Sequence, residues 1–318
     1  MFTMPRFLAL SRRREIWERE IFSRSAIWLW ERLRMAICNG EARVMLMRTT
    51  QMAQKAGDLH NASDVAIAAM SRLMTGTAML GVMMKEDTAN TTVIVDGGGP
   101  GGRMTCVAHG GNVKISMINP KVELPALPDG RPDVSGLVGR EGMLTVIRDY
   151  GVGEPYIGKT ELVSGELGED FAAYYTSSEQ TPSIVSLGAI VHEGMVLSAG
   201  GVLVQAMPGC SRKTLEMLDM RAMLFSGISR DLFEDPLDDL ADRWFRDMDM
   251  VKLDRQPLQY RCDCSRQKAL RMLKSIGREQ LLEILQEDHG AEMTCHFCHT
   301  THTFDENDLK ALLASGMN

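Results

Sequence analysis

Two closely spaced thiol pairs stand near the carboxyl end of this 318-residue chain: Cys262-Asp-Cys264 and, after 30 intervening residues, Cys295-His-Phe-Cys298. Zinc prefers soft thiolate donors in a tetrahedron, with metal–sulfur distances of about 2.3 Å. Two pairs brought together by an intervening helical hairpin supply four such donors. Cys262, Cys264, Cys295 and Cys298 are therefore the predicted ligands of one Zn2+ ion. His296, His299 and His302 are near enough in sequence to replace one sulfur, since imidazole also binds zinc. The spacing allows a second chemistry, because each pair is close enough to form a disulfide, and oxidation removes the thiolates that hold a metal.

Such a site needs a compact module around it, and residues 261–318 read as one. Ser265 is placed to cap a helix over RQKALRMLKSI, Gly277 breaks it, and REQLLEILQEDH forms a second helix. Gly290 ends that helix before a short strand at AEMTC. Asp305 is placed to cap ENDLKALLAS, with its acids near the positive helix end. Upstream, residues 214–256 hold 11 acidic and six basic residues, with apolar residues at helical spacing interrupted by Gly227 and Pro236. These are short amphipathic helices that must lean on neighbours to be stable. The stretch 211–260 is predicted to be a metastable helical linker. Structural zinc contributes about 10–16 kcal/mol to small modules, while whole domains are stable by about 5–15 kcal/mol. Loss of the metal should therefore unfold the terminal module. If the linker helices pack on that module and on the core, they then lose a neighbour and expose Phe225, Phe233, Trp244 and Phe245 beside a dense acidic face. These four are candidate contacts for exposed hydrophobic segments of other proteins.

Residues 35–210 read as an α+β core. Asn39-Gly40 is a hairpin signal within ICNGEARVMLMRTT. Asn61-Ala-Ser63-Asp64 offers caps for VAIAAMSRLMTGTAMLGVMMK, whose apolar positions cover nearly the whole circumference of a buried helix. Its methionines Met70, Met74, Met79, Met83 and Met84 read as core filling, although 24 Met in the chain also suit promiscuous contact surfaces. Strands follow at TTVIVD, RMTCVA, NVKISMI, LTVIRDY and PYIGKTELV. A helix at GELGEDFAAYYTSSEQTPS then leads to strands at IVSLGAIVH and GGVLVQAMP.

Residues 1–34 differ from the rest. They hold eight basic and four acidic residues and three of the four tryptophans, Trp17, Trp28 and Trp30. Four acids are too many for a good targeting peptide, so an N-terminal extension of uncertain status is the expectation. The net charge of -7 disfavours nucleic acid, whose phosphates demand a basic surface. No apolar run reaches the 18 or so residues of a membrane span. Seven cysteines, unevenly spread, do not form a secreted disulfide framework. Neither membrane nor nucleic acid is an expected partner, and a cytoplasmic location follows.

Several motifs fail in context. Gly97, Gly99 and Gly102 match GxGxxG, but a dinucleotide site needs a helix next, and RMTCVAHGG reads as strand and turn. Cys106 and His109 fall on opposite faces of a strand. His192-Glu193 has no convergent partners, and Cys38 and Cys210 read as small buried residues. The acidic run Glu234-Asp235 with Asp238-Asp239 reads as a solvated helix face.

From about Met35 onward the chain resembles the 33 kDa chaperonin family of redox-regulated heat-shock holdases. The resemblance is carried by AMSRLMTGTAMLGVMMK, GGGPGG, SGELGEDFAAYYTSSEQTPSIVSLGAIV, AGGVLVQAMPG and the run from YRCDC to HFCHTTHTFDENDL. It implies an ATP-independent chaperone, not an enzyme, that is silent while reduced and zinc-bound. Peroxide or hypochlorous acid would join Cys295 to Cys298, and Cys262 to Cys264 would close as the linker unfolds. The oxidised form is expected to be a homodimer that binds unfolded clients during oxidative stress. From the residues alone, two rivals stand: a thiol-disulfide oxidoreductase using Cys295 and Cys298, and a zinc-stabilised binding adaptor without a switch.

Overall fold

The computed structural model describes residues 31–84 and 88–314. The basic segment carrying Trp17, Trp28 and Trp30 lies outside the described residues. Strand β1 (Glu31–Ile37) begins four residues before the expected start of the core. Leu33 continues the inward alternation of Met35 and Ile37, while Arg32 and Arg34 find Asp254 far along the chain. No local signal marks that pairing. β1 turns through Cys38-Asn39-Gly40, all at positive φ, into β2 (Ala42–Arg48), as the Asn-Gly hairpin signal predicts.

Helices α1 (Thr50–His60) and α2 (Asp64–Gly81) follow, the latter capped by Ser63, whose side chain accepts from the Ala66 amide. Every residue of α2 from Val65 to Gly81 is buried, because it lies between two sheets and touches β strands of both. At Gly76 a Cβ would stand 2.2 Å from the Phe171 ring, so this helix accepts the cost of glycine for a close approach. Met70, Met74 and Met79 fill the core.

Strands β3 (Asn90–Asp96), β4 (Met104–His109) and β5 (Asn112–Met117) form a meander, with GGGPGG as the β3–β4 turn and a strand after it. Short helix α3 (Val134–Val138) precedes β6 (Met143–Asp149) and β7 (Tyr156–Glu161); α4 (Gly168–Ser177) precedes the hairpin β8 (Ser183–His192) and β9 (Met195–Ala206). Next come α5 (Arg212–Ala222), a 3-10 turn at Met223–Phe225, α6 (Ile228–Glu234) and α7 (Leu237–Phe245). The predicted helical character of 211–260 holds only to Phe245. Beyond it lie β10 (Val251–Pro257) and β11 (Gln259–Tyr260), whose polar sequence becomes strand by pairing with sheet edges rather than by an apolar pattern. The terminal module is α8 (Arg266–Ser275), α9 (Arg278–Glu287), β12 (Gly290–Thr294), β13 (Thr301–Asp305) and α10 (Glu306–Ala314). Ser265 accepts from the Lys268 amide and Asp305 from the Asp308 amide, as the two capping signals require.

One sheet has the order β10-β1-β2-β9-β8 and the other β11-β5-β4-β3-β6-β7; all pairs are antiparallel except β11 with β5. The first sheet is buried on both faces. Met45, Met47 and Leu203 join the core around α2, whereas Leu33, Met35, Ile37, Val44, Leu46, Val202 and Val204 meet the layer α5–α7. In that layer Phe225 and Trp244 pack edge to face with ring centroids 5.1 Å apart. A third, small core joins Ala269, Leu273, Leu281, Phe304 and Leu309 of the terminal module. Cys106 is fully buried, and burial pushes its thiol up to about 12, while His109 is exposed across the strand. Cys38 and Cys210 are only half-buried, a correction to their reading as buried residues, because both sit in connections at the rim of the first sheet.

Candidate metal centre

The two thiol pairs come from two loops. Cys262 and Cys264 lie in the extended stretch between β11 and α8; Cys295 and Cys298 lie in the tight turn between β12 and β13. That turn is closed by the Cys295 amide donating to the Thr300 carbonyl at 3.0 Å and the His299 amide to the Cys295 carbonyl at 2.8 Å, with His299 at φ 54°. All four Sγ atoms lie within 4.8 Å of one another. Cys262 Sγ is 3.7 Å from Cys295 Sγ, and Cys264 Sγ is 3.3 Å from Cys298 Sγ. A tetrahedral ion held at about 2.3 Å requires sulfurs about 3.8 Å apart, so the donor set fits a closed four-thiolate site. Among the described residues this is the one such cluster.

The four sulfurs are not equivalent. Burial, opposed by a backbone hydrogen bond, pushes Cys262 up to about 11, and burial with the Cys298 sulfur pushes Cys264 up. Burial also opposes ionisation of Cys298, but hydrogen bonds from the Thr300 hydroxyl and amide and from the neighbouring sulfurs outweigh it, bringing it down to about 7. Cys262 and Cys264 are thus pushed away from the thiolate and Cys298 drawn towards it. The histidines predicted as possible substitutes stand elsewhere. His299 Nε2 meets His60 Nδ1 at 2.9 Å, His60 Nε2 meets the Ile115 carbonyl at 2.9 Å, and neither His296 nor His302 joins the cluster.

The module is seated on β5. Tyr260 donates its hydroxyl to the carbonyls of Ile115, at 3.1 Å, and Phe297. Lys114 pairs with Asp263 and lies 4.9 Å from the centre of the Phe297 ring, while Lys268 holds the same carboxylate. Lys114, Tyr260, Phe297 and the His60–His299 pair escaped the sequence reading, since their partners lie 37 to 239 residues away. The aromatic candidates divide: Phe225, Trp244 and Phe245 are buried beneath the first sheet, and Phe233 is 43% exposed. The acidic run is taken up in ion pairs, Asp235 with Arg243 at 2.5 Å and Asp238 with Lys252 at 2.6 Å and with Arg255. No helix among the described residues is long and apolar enough to cross a membrane.

A two-sheet α+β core, a helical layer over one sheet and a four-cysteine module at the carboxyl end together match the architecture of a chaperone family. The family model described as Hsp33 protein matches residues 31–305, and the chain belongs to that chaperone family. The chain is 37% identical over 290 residues to the 33 kDa chaperonin of Alkaliphilus oremlandii, covering 90% of this chain and 97% of the relative. It is 38% identical over 281 residues to that of Staphylococcus aureus strain JH9, covering 87% and 95%. The crystal structure of the 33 kDa chaperonin (heat shock protein 33 homolog) of Thermotoga maritima superposes with a TM-score of 0.82 at 30% identity, over 90% of this chain and 98% of that one.

Proposed function

We infer that the chain is a redox-regulated, ATP-independent holdase of the cytoplasm, switched by the oxidation state of Cys262, Cys264, Cys295 and Cys298. The observation that carries the reading is the convergence of four sulfurs, from two loops, to within 4.8 Å. A Zn2+ ion bound there would supply the folding free energy that the module's small core, Ala269, Leu273, Leu281, Phe304 and Leu309, lacks. In this reading 35–210 is the core, 211–260 the linker and 261–318 the switch.

Oxidation acts on the chain's own sulfurs. Two thiols lose two electrons and two protons as a sulfur–sulfur bond forms, and hydrogen peroxide is reduced to two waters. Pairing within each motif, Cys295–Cys298 and Cys262–Cys264, follows the family resemblance; in the reduced arrangement sulfur contacts run between the two motifs, so oxidation rearranges the module. Once the module opens, Lys114, Tyr260 and His60 lose their partners, β11 leaves β5, and the layer α5–α7 loses its downstream anchor. Release of that layer uncovers Phe225, Trp244 and Phe245 together with the apolar face of the first sheet. The active form binds unfolding clients and pairs as a homodimer.

The test is peroxide treatment of zinc-loaded protein at mildly raised temperature, with metal release and suppression of client aggregation followed together. Zinc loss with new holding activity is the expected result. Catalytic disulfide exchange without zinc loss would point to an oxidoreductase, and indifference to oxidant to an adaptor.

A further inference from the structure

Strand β10 covers the outer edge of β1 with almost no apolar contact. Every residue of Val251–Pro257 except Asp254 is exposed, Val251 and Leu253 by more than half. Its hold is a main-chain ladder from Glu31 opposite Pro257 to Ala36 opposite Val251, interrupted by a register shift between Arg34 and Met35. Ion pairs supplement it: Arg34 with Asp254 at 3.2 Å, Arg32 with Asp254 at 3.7 Å, and Arg255 with Glu31 at 3.2 Å. Each pair joins a β1 side chain to a β10 side chain that is still about a third exposed, so solvent and salt screen it on the β10 side. β1 is the opposite case. Leu33, Met35 and Ile37 are buried under α5–α7, and Arg32 and Arg34 line a cleft of about 730 Å3 on the other face.

An uncovered strand edge is a template for adding an extended chain. β10 follows α7 after only five residues and is tied to it by Lys252 with Asp238 and Asp242 and by Arg255 with Asp238, so undocking of the layer removes those ties and leaves the polar strap on its ladder to β1 alone. We propose that the outer edge of β1 is where the chaperone takes up an extended segment of an unfolding protein, by strand addition in place of β10. The inference rests on the redox-holdase reading and names the contact that reading leaves open. The client's main chain pairs along residues 31–37. Its apolar side chains meet Leu33, Met35 and Ile37 on one face, and a carboxylate on the other replaces Asp254 between Arg32 and Arg34. Charge complementarity selects that carboxylate: the Arg32 side chain is 7% exposed, and its Nε has no hydrogen-bond partner even with β10 present. Beyond alternating apolar residues and one carboxylate, main-chain pairing asks nothing further of the client sequence, which suits a holdase of many clients.

Hydrogen exchange on the full chain tests this at the amides of residues 31–37. Those that face β10 rather than β2 are protected in the reduced, zinc-loaded protein, and exchange at least tenfold faster after peroxide. They should slow again at least tenfold when an unfolded reporter protein is bound. A second arm ties β10 down through Ala36→Cys with Val251→Cys, which stand opposite in the ladder. The tied chain should still release zinc with peroxide but hold at least fivefold less client. Client that restores no protection at 31–37, or undiminished holding by the tied chain, overturns the proposal. Protection that returns without client and rises with chain concentration assigns the edge to a second copy and overturns it equally. Oxidised wild type that holds no client at all overturns the parent reading, and this one with it.

Discussion

Leu240 lies wholly buried in α7, against the face of the first sheet formed by Leu33, Met35, Ile37, Val44 and Leu46. Replacing it by alanine leaves the metal centre untouched, since that centre belongs to a separate core. The loss for a buried leucine is about 2–5 kcal/mol. Helices α5, α6 and α7 have 11, 7 and 9 residues and are marginal without packing. The undocked population should therefore rise by about 30-fold at the least, because each 1.4 kcal/mol is tenfold. The assay is aggregation of a heat-labile reporter in the presence of reduced, zinc-loaded L240A, with metal content and proteolysis of residues 211–257 followed in parallel. The expected outcome is suppression of aggregation without oxidant and with zinc still bound. A variant whose layer is cut as fast as that of oxidised wild type, yet stays silent until peroxide is added, would refute the link between layer release and activity.

Other perturbations probe the same linkage. At Gly188 of β8 a Cβ would stand 2.9 Å from Ile228 and Ser229 of α6. G188A should loosen that layer by about 1–3 kcal/mol through overpacking, seen as faster proteolysis of α6 in the reduced chain. K114M removes the Asp263 ion pair and the contact with the Phe297 ring, interactions together worth about 1 kcal/mol. It should speed chelator-driven zinc loss several-fold; an unchanged rate would mean that seating on β5 does not steady the module. Glu41 accepts from the Thr214 hydroxyl and from the Ser211 hydroxyl and amide, hydrogen bonds that hold its carboxyl below the usual range. A depressed carboxyl adds stability above its unfolded value of 4.5, which is lost as pH falls through the lower folded value. Hydrogen exchange at residues 211–222 should thus differ between wild type and E41Q above pH 4.5 and converge below it; a gap that persists in acid would contradict this.

Some of this was legible because the signal is local. The CxC and CxxC spacings, the Asn39-Gly40 turn, the caps at Ser63, Ser265 and Asp305, and the all-round apolar α2 are short-range patterns, and each appears in the structure. The unread parts depend on distant partners. β10 has no inward apolar face, so its sequence resembles any polar linker until Glu31–Ala36 is placed beside it. The same holds for Arg32 and Arg34, whose charges look like those of an extension until Asp254 and Gln256 meet them. β2 did carry a readable clue, since its near-continuous burial requires both faces of the sheet to be covered. Seating of the module on β5 rests on Lys114, Tyr260 and His60, ordinary residues with no motif around them.

In the proposed switch, four sulfurs hold one zinc ion and thereby keep the client-binding surface covered. Thiol alkylation of the reduced chain, read by intact mass before and after a zinc chelator, tests it most directly. One zinc per chain is expected, with Cys262, Cys264, Cys295 and Cys298 shielded until the chelator is added and proteolysis of residues 211–257 beginning at the same chelator concentration. A metal-free reduced chain, or loss of zinc that leaves those residues as resistant as before, would contradict it.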